Sequence, residues 1–123
     1  MTLKKFEFAE QVLGFIISER INQENLQTIH DNINEALQKY DSISLYVEDT
    51  TTAGVDFKII SKDFTFRLQN NSQYSRIAIV SDKAVLAIYT RFKALFMKAE
   101  MMHFPLKNRM EALNWVSAIY TSS

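Results

Sequence analysis

Few residues in this 123-residue chain carry catalytic chemistry, and their spacing does not assemble it. His30 and His103 are the only histidines, and nothing near either gives metal-ligand spacing, so both read as structural or exposed side chains. Glu48 and Asp49 are adjacent carboxylates in a stretch with strand character, where neighbouring side chains point to opposite faces and cannot share acid–base work. The patterns GxSxG, HExxH and the P-loop are absent. Zero cysteine removes disulfides, thiolate metal sites and cysteine nucleophiles. Two glycines are too few for a glycine-rich phosphate loop. No catalytic residue, metal ligand or cofactor is assigned, and a non-enzymatic protein is expected.

Two other groups of residues have binding chemistry. The loop Asp49-Thr50-Thr51-Thr52-Ala53-Gly54 offers three hydroxyls beside a carboxylate, either to cap a following helix or to carry a phosphate at its N-terminus. The second group is aromatic and basic. Over 82–97, Val85, Ile88, Tyr89, Phe92, Leu95 and Phe96 fall on one helical stripe that reads as core-facing, with Lys83, Arg91 and Lys93 outside it and Lys98 just beyond. Residues 55–69 add Phe57, Phe64, Phe66, Lys58, Lys62 and Arg67. Helices that are apolar, aromatic and basic suit an amphiphile or an anionic lipid surface. The candidate contact residues are Val55, Phe57, Ile59, Lys62, Phe66, Tyr89, Arg91, Phe92, Lys93 and Phe96.

The elements that must position these residues are legible from periodicity. Phe6 and Phe8 alternate with charged residues, as on an edge strand. Val12-Leu13-Gly14-Phe15-Ile16-Ile17 is a continuous apolar run, the mark of a strand covered on both faces. Asn22 is a candidate N-cap, and Leu26, Ile29, Ile33, Leu37 and Tyr40 recur at helical spacing, predicting an amphipathic helix over 23–40. Ile43, Leu45 and Val47 alternate as an inner strand, and Arg76 to Val80 is a short buried one. Asp82 is placed to cap the helix that follows it, and Lys98 to Phe104 reads as a last strand ended by Pro105. Residues 107–121 make a closing helix with Ala112, Leu113, Trp115, Val116, Ile119 and Tyr120 inward.

Residues 55–69 fit two patterns. Val55 to Ile59 and Phe64 to Leu68 alternate as a β-hairpin turning at Ser61-Lys62-Asp63. As a helix, the segment carries one stripe of Phe57, Ile60, Phe64 and Leu68 and a second, opposite stripe of Val55, Ile59 and Phe66. A helix apolar on both sides cannot hide both against one sheet. Its second face needs a neighbouring helix, a ligand, a membrane or a second copy of the chain.

Strands alternating with helices predict a single α/β domain with right-handed crossovers. The net charge of zero conceals an asymmetry: residues 1–56 hold four basic and ten acidic side chains, residues 57–123 ten basic and four acidic. No apolar run approaches the roughly 18–20 residues of a membrane span, and Met1 to Glu7 lack the apolar core of a secretory signal. A cytoplasmic location, peripheral at the membrane, is expected.

The stretches Arg76-Ile77-Ala78-Ile79-Val80-Ser81-Asp82-Lys83, Lys98-Ala99-Glu100-Met101-Met102-His103-Phe104 and Glu111-Ala112-Leu113-Asn114-Trp115-Val116, with Val12 to Ile17 as the second strand, resemble the SpoIIAA-like family, which groups in fold with STAS and Sec14-like domains. The resemblance spans nearly the whole chain and rests on packing motifs, so residues 1–123 are expected to form one SpoIIAA-like, STAS-related domain. It implies an about five-stranded, mixed, mostly parallel sheet with about four helices, one of them at 55–69. It also implies membrane association or binding of an apolar ligand between the second and third helices. One departure stands out: where antagonists of this fold carry a phosphorylatable serine before a Gly-apolar pair, this chain has Ala53 before Gly54-Val55, leaving Thr52 as the nearest hydroxyl. The expected function is a binding module for an amphiphile or an anionic membrane through the helices at 55–69 and 82–97. The alternative is a STAS-type regulatory protein-interaction domain using Asp49, Thr50, Thr51 and Thr52. A homodimer is a further expected partner state. Nucleic acid is not expected as a partner, given overall neutrality and the absence of a binding motif.

Overall fold

The computed structural model describes residues 3–9, 11–19, 22–51, 73–95 and 97–121. In chain order the elements are strand β1 (Leu3–Ala9), strand β2 (Val12–Ile17), helix α1 (Gln23–Lys39), strand β3 (Ile43–Asp49), strand β4 (Tyr74–Val80), helix α2 (Ala84–Ala94), strand β5 (Glu100–Phe104), a 3-10 turn (Leu106–Asn108) and helix α3 (Arg109–Thr121). The strands form one sheet in sequence order, with β3 central. β1 runs antiparallel to β2, and β2 to β5 are mutually parallel. The sheet is therefore mixed and mostly parallel, as expected for α/β. Among the described residues there are three α-helices rather than the expected four, because residues 55–69, read as helix or hairpin, lie outside them.

Each parallel strand has a reason in its composition. Val12, Leu13 and Phe15 of β2 are all buried, so consecutive side chains are covered on opposite faces, which is why the strand is apolar without alternation. One face carries Leu13, Phe15, Ile43, Leu45, Ile77, Ile79 and Met101 under α1, with Met97 and Ala99 from the segment after α2. The other carries Val12, Tyr46, Ala78, Val80 and Phe104 under Ala112 and Val116 of α3. The helices thus form two layers, α1 and α2 on one face and α3 on the other.

α1 begins at Asn22, whose side chain accepts from the Asn25 amide at 2.8 Å while Asn25 returns the bond to the Asn22 amide at 3.4 Å, a reciprocal cap with asparagine in the usual glutamate position. Leu26, Ile29 and Ile33 are buried as the spacing predicts. In α3, Ala112 and Val116 are fully buried, and Leu113, Trp115 and Tyr120 pack against the same core. Arg76 of β4 stacks 4.9 Å from the Trp115 ring centre and donates to the Trp115 carbonyl at 2.7 Å, so a charged strand residue helps hold α3 in place.

The start of α2 differs from expectation. Its N-cap is Lys83, with no side-chain cap hydrogen bond. Asp82 does not cap the helix, because its Oδ1 accepts instead from the Leu106 amide at 2.9 Å and ties this loop to the one after β5. The hydroxyl of Ser81 accepts from the Lys83 amide at 3.0 Å and serves the turn in its place.

Candidate functional site

α2 is where the structure departs furthest from the amphipathic reading. Thr90 is its one buried residue and marks the side against the sheet. At about 100° per residue, Val85, Ile88, Phe92 and Leu95 all lie within about 40° of the opposite pole. Their exposures follow: Val85 is 38% accessible, Ile88 66%, Phe92 56% and Leu95 78%. The stripe that reads as core-facing in the sequence points away from the sheet. The reason lies in the other side of the helix. Ala87, Thr90 and Ala94 recur at spacings of three and four, and small side chains let the helix lie close to the sheet. The Thr90 hydroxyl returns to the Leu86 carbonyl at 2.7 Å, so its burial leaves no polar group unpaired. A small-residue stripe opposite a large apolar one was the signal for this orientation.

Cations flank the outward stripe. Arg91 is exposed on one side. On the other, Lys93 holds its ammonium 5.3 Å from the Tyr89 ring centre and 5.8 Å from that of Phe92, and partial burial pushes its pKa down. Lys98 is exposed just beyond the helix. Of the sequence-derived contact residues, α2 therefore gathers Tyr89, Arg91, Phe92 and Lys93 on its flanks and outer side. Val85, Ile88 and Leu95 complete the surface. Val55, Phe57, Ile59, Lys62, Phe66 and Phe96 lie outside the described residues.

The threonine loop occupies the carboxyl end of the central strand. The Thr50 hydroxyl donates to the Ile17 carbonyl at 3.1 Å, and the Thr51 amide donates to Asp49 Oδ1 at 3.0 Å. Thr52 lies outside the described residues. Asp49 Oδ2 accepts from Lys83 Nζ at 2.8 Å, joining this loop to the start of α2. Its neighbour Glu48 points to the other face, is buried, meets Arg109 Nε at 3.3 Å and accepts a hydrogen bond from the Tyr46 hydroxyl. Burial first, and then the bond to Glu48, raise the Tyr46 pKa well above the ordinary tyrosine value of 10.0. The two carboxylates are separated by the sheet, as their adjacency on a strand requires. Each is engaged by a cation at the beginning of a helix.

Neither histidine joins these groups. His103 is half-buried with Nε2 2.7 Å from the Ser81 carbonyl, a contact that puts its proton on Nε2. Among the described residues, no group of three His, Cys, Asp or Glu side chains is arranged to hold a metal ion. No helix among them is long and apolar enough to cross a membrane.

Sheet order, layering and the two helix-bearing faces can be set beside known proteins. The family model described as SpoIIAA-like matches residues 12–117. The chain belongs to the SpoIIAA-like family. Comparison with curated proteins finds no match. Among solved structures, this SpoIIAA-like chain is similar to an uncharacterised protein of the DUF3478 family with a SpoIIAA-like fold from Shewanella loihica PV-4. The two share 17% identity over 93% of each chain, with a TM-score of 0.69, a likeness of fold.

Proposed function

We propose that this SpoIIAA-like domain is a non-enzymatic binding module that docks an amphiphile or an anionic membrane surface on the outer side of α2. The observation that carries this reading is the stripe Val85, Ile88, Phe92 and Leu95, large, apolar and turned from the sheet. Arg91 and Lys93 stand beside it to meet anionic headgroups while the stripe enters the acyl boundary. Binding of this kind is peripheral, with the helix lying in the plane of the interface. Like charges on both flanks disfavour two α2 helices packing face to face, so charge favours an anionic partner over a second copy.

The test is sedimentation with vesicles of phosphatidylcholine alone and with added phosphatidylglycerol, at low and high salt. The expected result is partition that rises with anionic lipid and weakens with salt. No partition at any composition sinks the proposal, and a dimer that forms through α2 reassigns the stripe to self-association. The second reading, a regulatory protein-interaction domain, draws on the exposed Thr50 beside Asp49. Phosphothreonine in cell-derived protein would favour it, and loop substitutions that leave every partner interaction intact would count against it.

A further inference from the structure

Among the described residues an ion pair joins the surfaces used by these two readings, and we infer that this pair, Asp49–Lys83, is a latch that regulates the outer face of α2. The inference rests on the binding reading for that face. α2 lies close along β5, with Thr90 its one buried residue. Its N-cap lacks a side-chain cap, and the residue there is a lysine, a cation at the positive end of the helix dipole. Asp49 offsets that charge at 2.8 Å, in a pair whose side chains are 11% and 22% exposed. The other ties at this turn, from Ser81 and Asp82, reach β5 and the segment after it. Among the described residues of this turn, Lys83 is the one that reaches past β4 to the central strand. Asp49 also carries the Thr51 amide on its second oxygen, so a change at the loop is felt at the latch. With the latch open, α2 lifts from β5, and Leu86, Ala87 and Ala94 join the outer stripe as apolar surface for a lipid interface.

The experiment compares Asp49→Asn and Lys83→Met with the wild type. One substitution makes the protein more positive and the other less, so charge attraction alone moves their binding to phosphatidylglycerol vesicles in opposite directions. The latch moves them the same way. Both variants are expected to raise vesicle partition, and to speed amide hydrogen exchange across α2, by about fivefold or more. Lys83→Arg, which keeps the pair, stays near wild type in both readouts. Opposite shifts in partition, or α2 exchange unchanged in both variants, overturn the latch while leaving the binding surface standing. Absence of partition by the wild type removes the binding surface instead, and α2 exchange then decides the latch alone. If Asp49→Asn fails to fold, Lys83→Met against Lys83→Arg makes the same comparison.

Discussion

Replacing Ile88 and Phe92 together by serine separates a docking surface from a packing surface. Fully burying an isoleucine or phenylalanine side chain contributes about 1.5–3 kcal/mol. Ile88 is 66% exposed and Phe92 56%, so more than half of that remains to be gained on entering a lipid interface. About 1–2 kcal/mol per residue gives about 2–4 kcal/mol for the pair, roughly thirtyfold to several-hundredfold in partition coefficient. The buried minority of each side chain limits the folding cost to about 2 kcal/mol in all. Partition is read by sedimentation with phosphatidylglycerol vesicles and stability by urea unfolding of the same preparations. The expected outcome is a collapse of binding with a modest shift in the urea midpoint. A double variant that unfolds, or that loses several kcal/mol, refutes the outward orientation of the stripe. A stable variant that binds as wild type refutes its role.

Three further outcomes follow from the described packing. Ile77→Ala, at a fully buried position of β4, is expected to cost about 2–5 kcal/mol in urea unfolding, and a cost under 1 kcal/mol would contradict the close packing under α1. Asn22→Ala removes the α1 cap and is expected to cost about 1 kcal/mol, with Asn22→Asp retaining most of it; equal losses in the two would show that the side-chain acceptor is not what matters. Tyr46 holds its proton more tightly folded than unfolded, so its contribution to stability is complete below pH 10.0 and declines as pH rises above that value, where the unfolded chain deprotonates first. Tyr46→Phe should therefore flatten the fall in urea midpoint between about pH 9 and 11, and a slope identical to wild type would contradict the buried bond to Glu48.

The sheet was the most legible part of the molecule because its signals are local. The unbroken apolar run Val12 to Ile17 has few readings other than a doubly covered strand, and the spacing of Leu26, Ile29 and Ile33 has few other than the inner face of α1. The direction of α2 was not legible from its large residues. Periodicity reports that a stripe exists but not which way it faces, and size was a misleading guide where a helix approaches its sheet through Ala87, Thr90 and Ala94. Asp82 shows a second limit. Its position before a helix fits a cap, yet the competing Leu106 amide is a neighbour brought in only by the tertiary fold. Composition drew Arg91, Phe92 and Lys93 into one candidate surface. Lys83 and Arg109 were not singled out as helix-starting partners of the β3 carboxylates, since their ion pairs span 34 and 61 residues of chain.

The consecutive acids Glu48 and Asp49 have a consequence for how the chain avoids misfolding. In a parallel sheet covered on both faces, sliding one strand past its neighbours by a residue carries each of its side chains to the opposite layer. Here a slip of β3 by one residue would turn Asp49 into the layer of Arg109 and carry Glu48 away from the Tyr46–Arg109 cluster. Lys83 would lose its carboxylate at the same step. Two ion pairs on opposite faces would break together, so the last peptide of the central strand acts as a register mark read from both sides. A one-residue insertion within β3 should therefore be far worse tolerated than a two-residue one, which restores each acid to its own face.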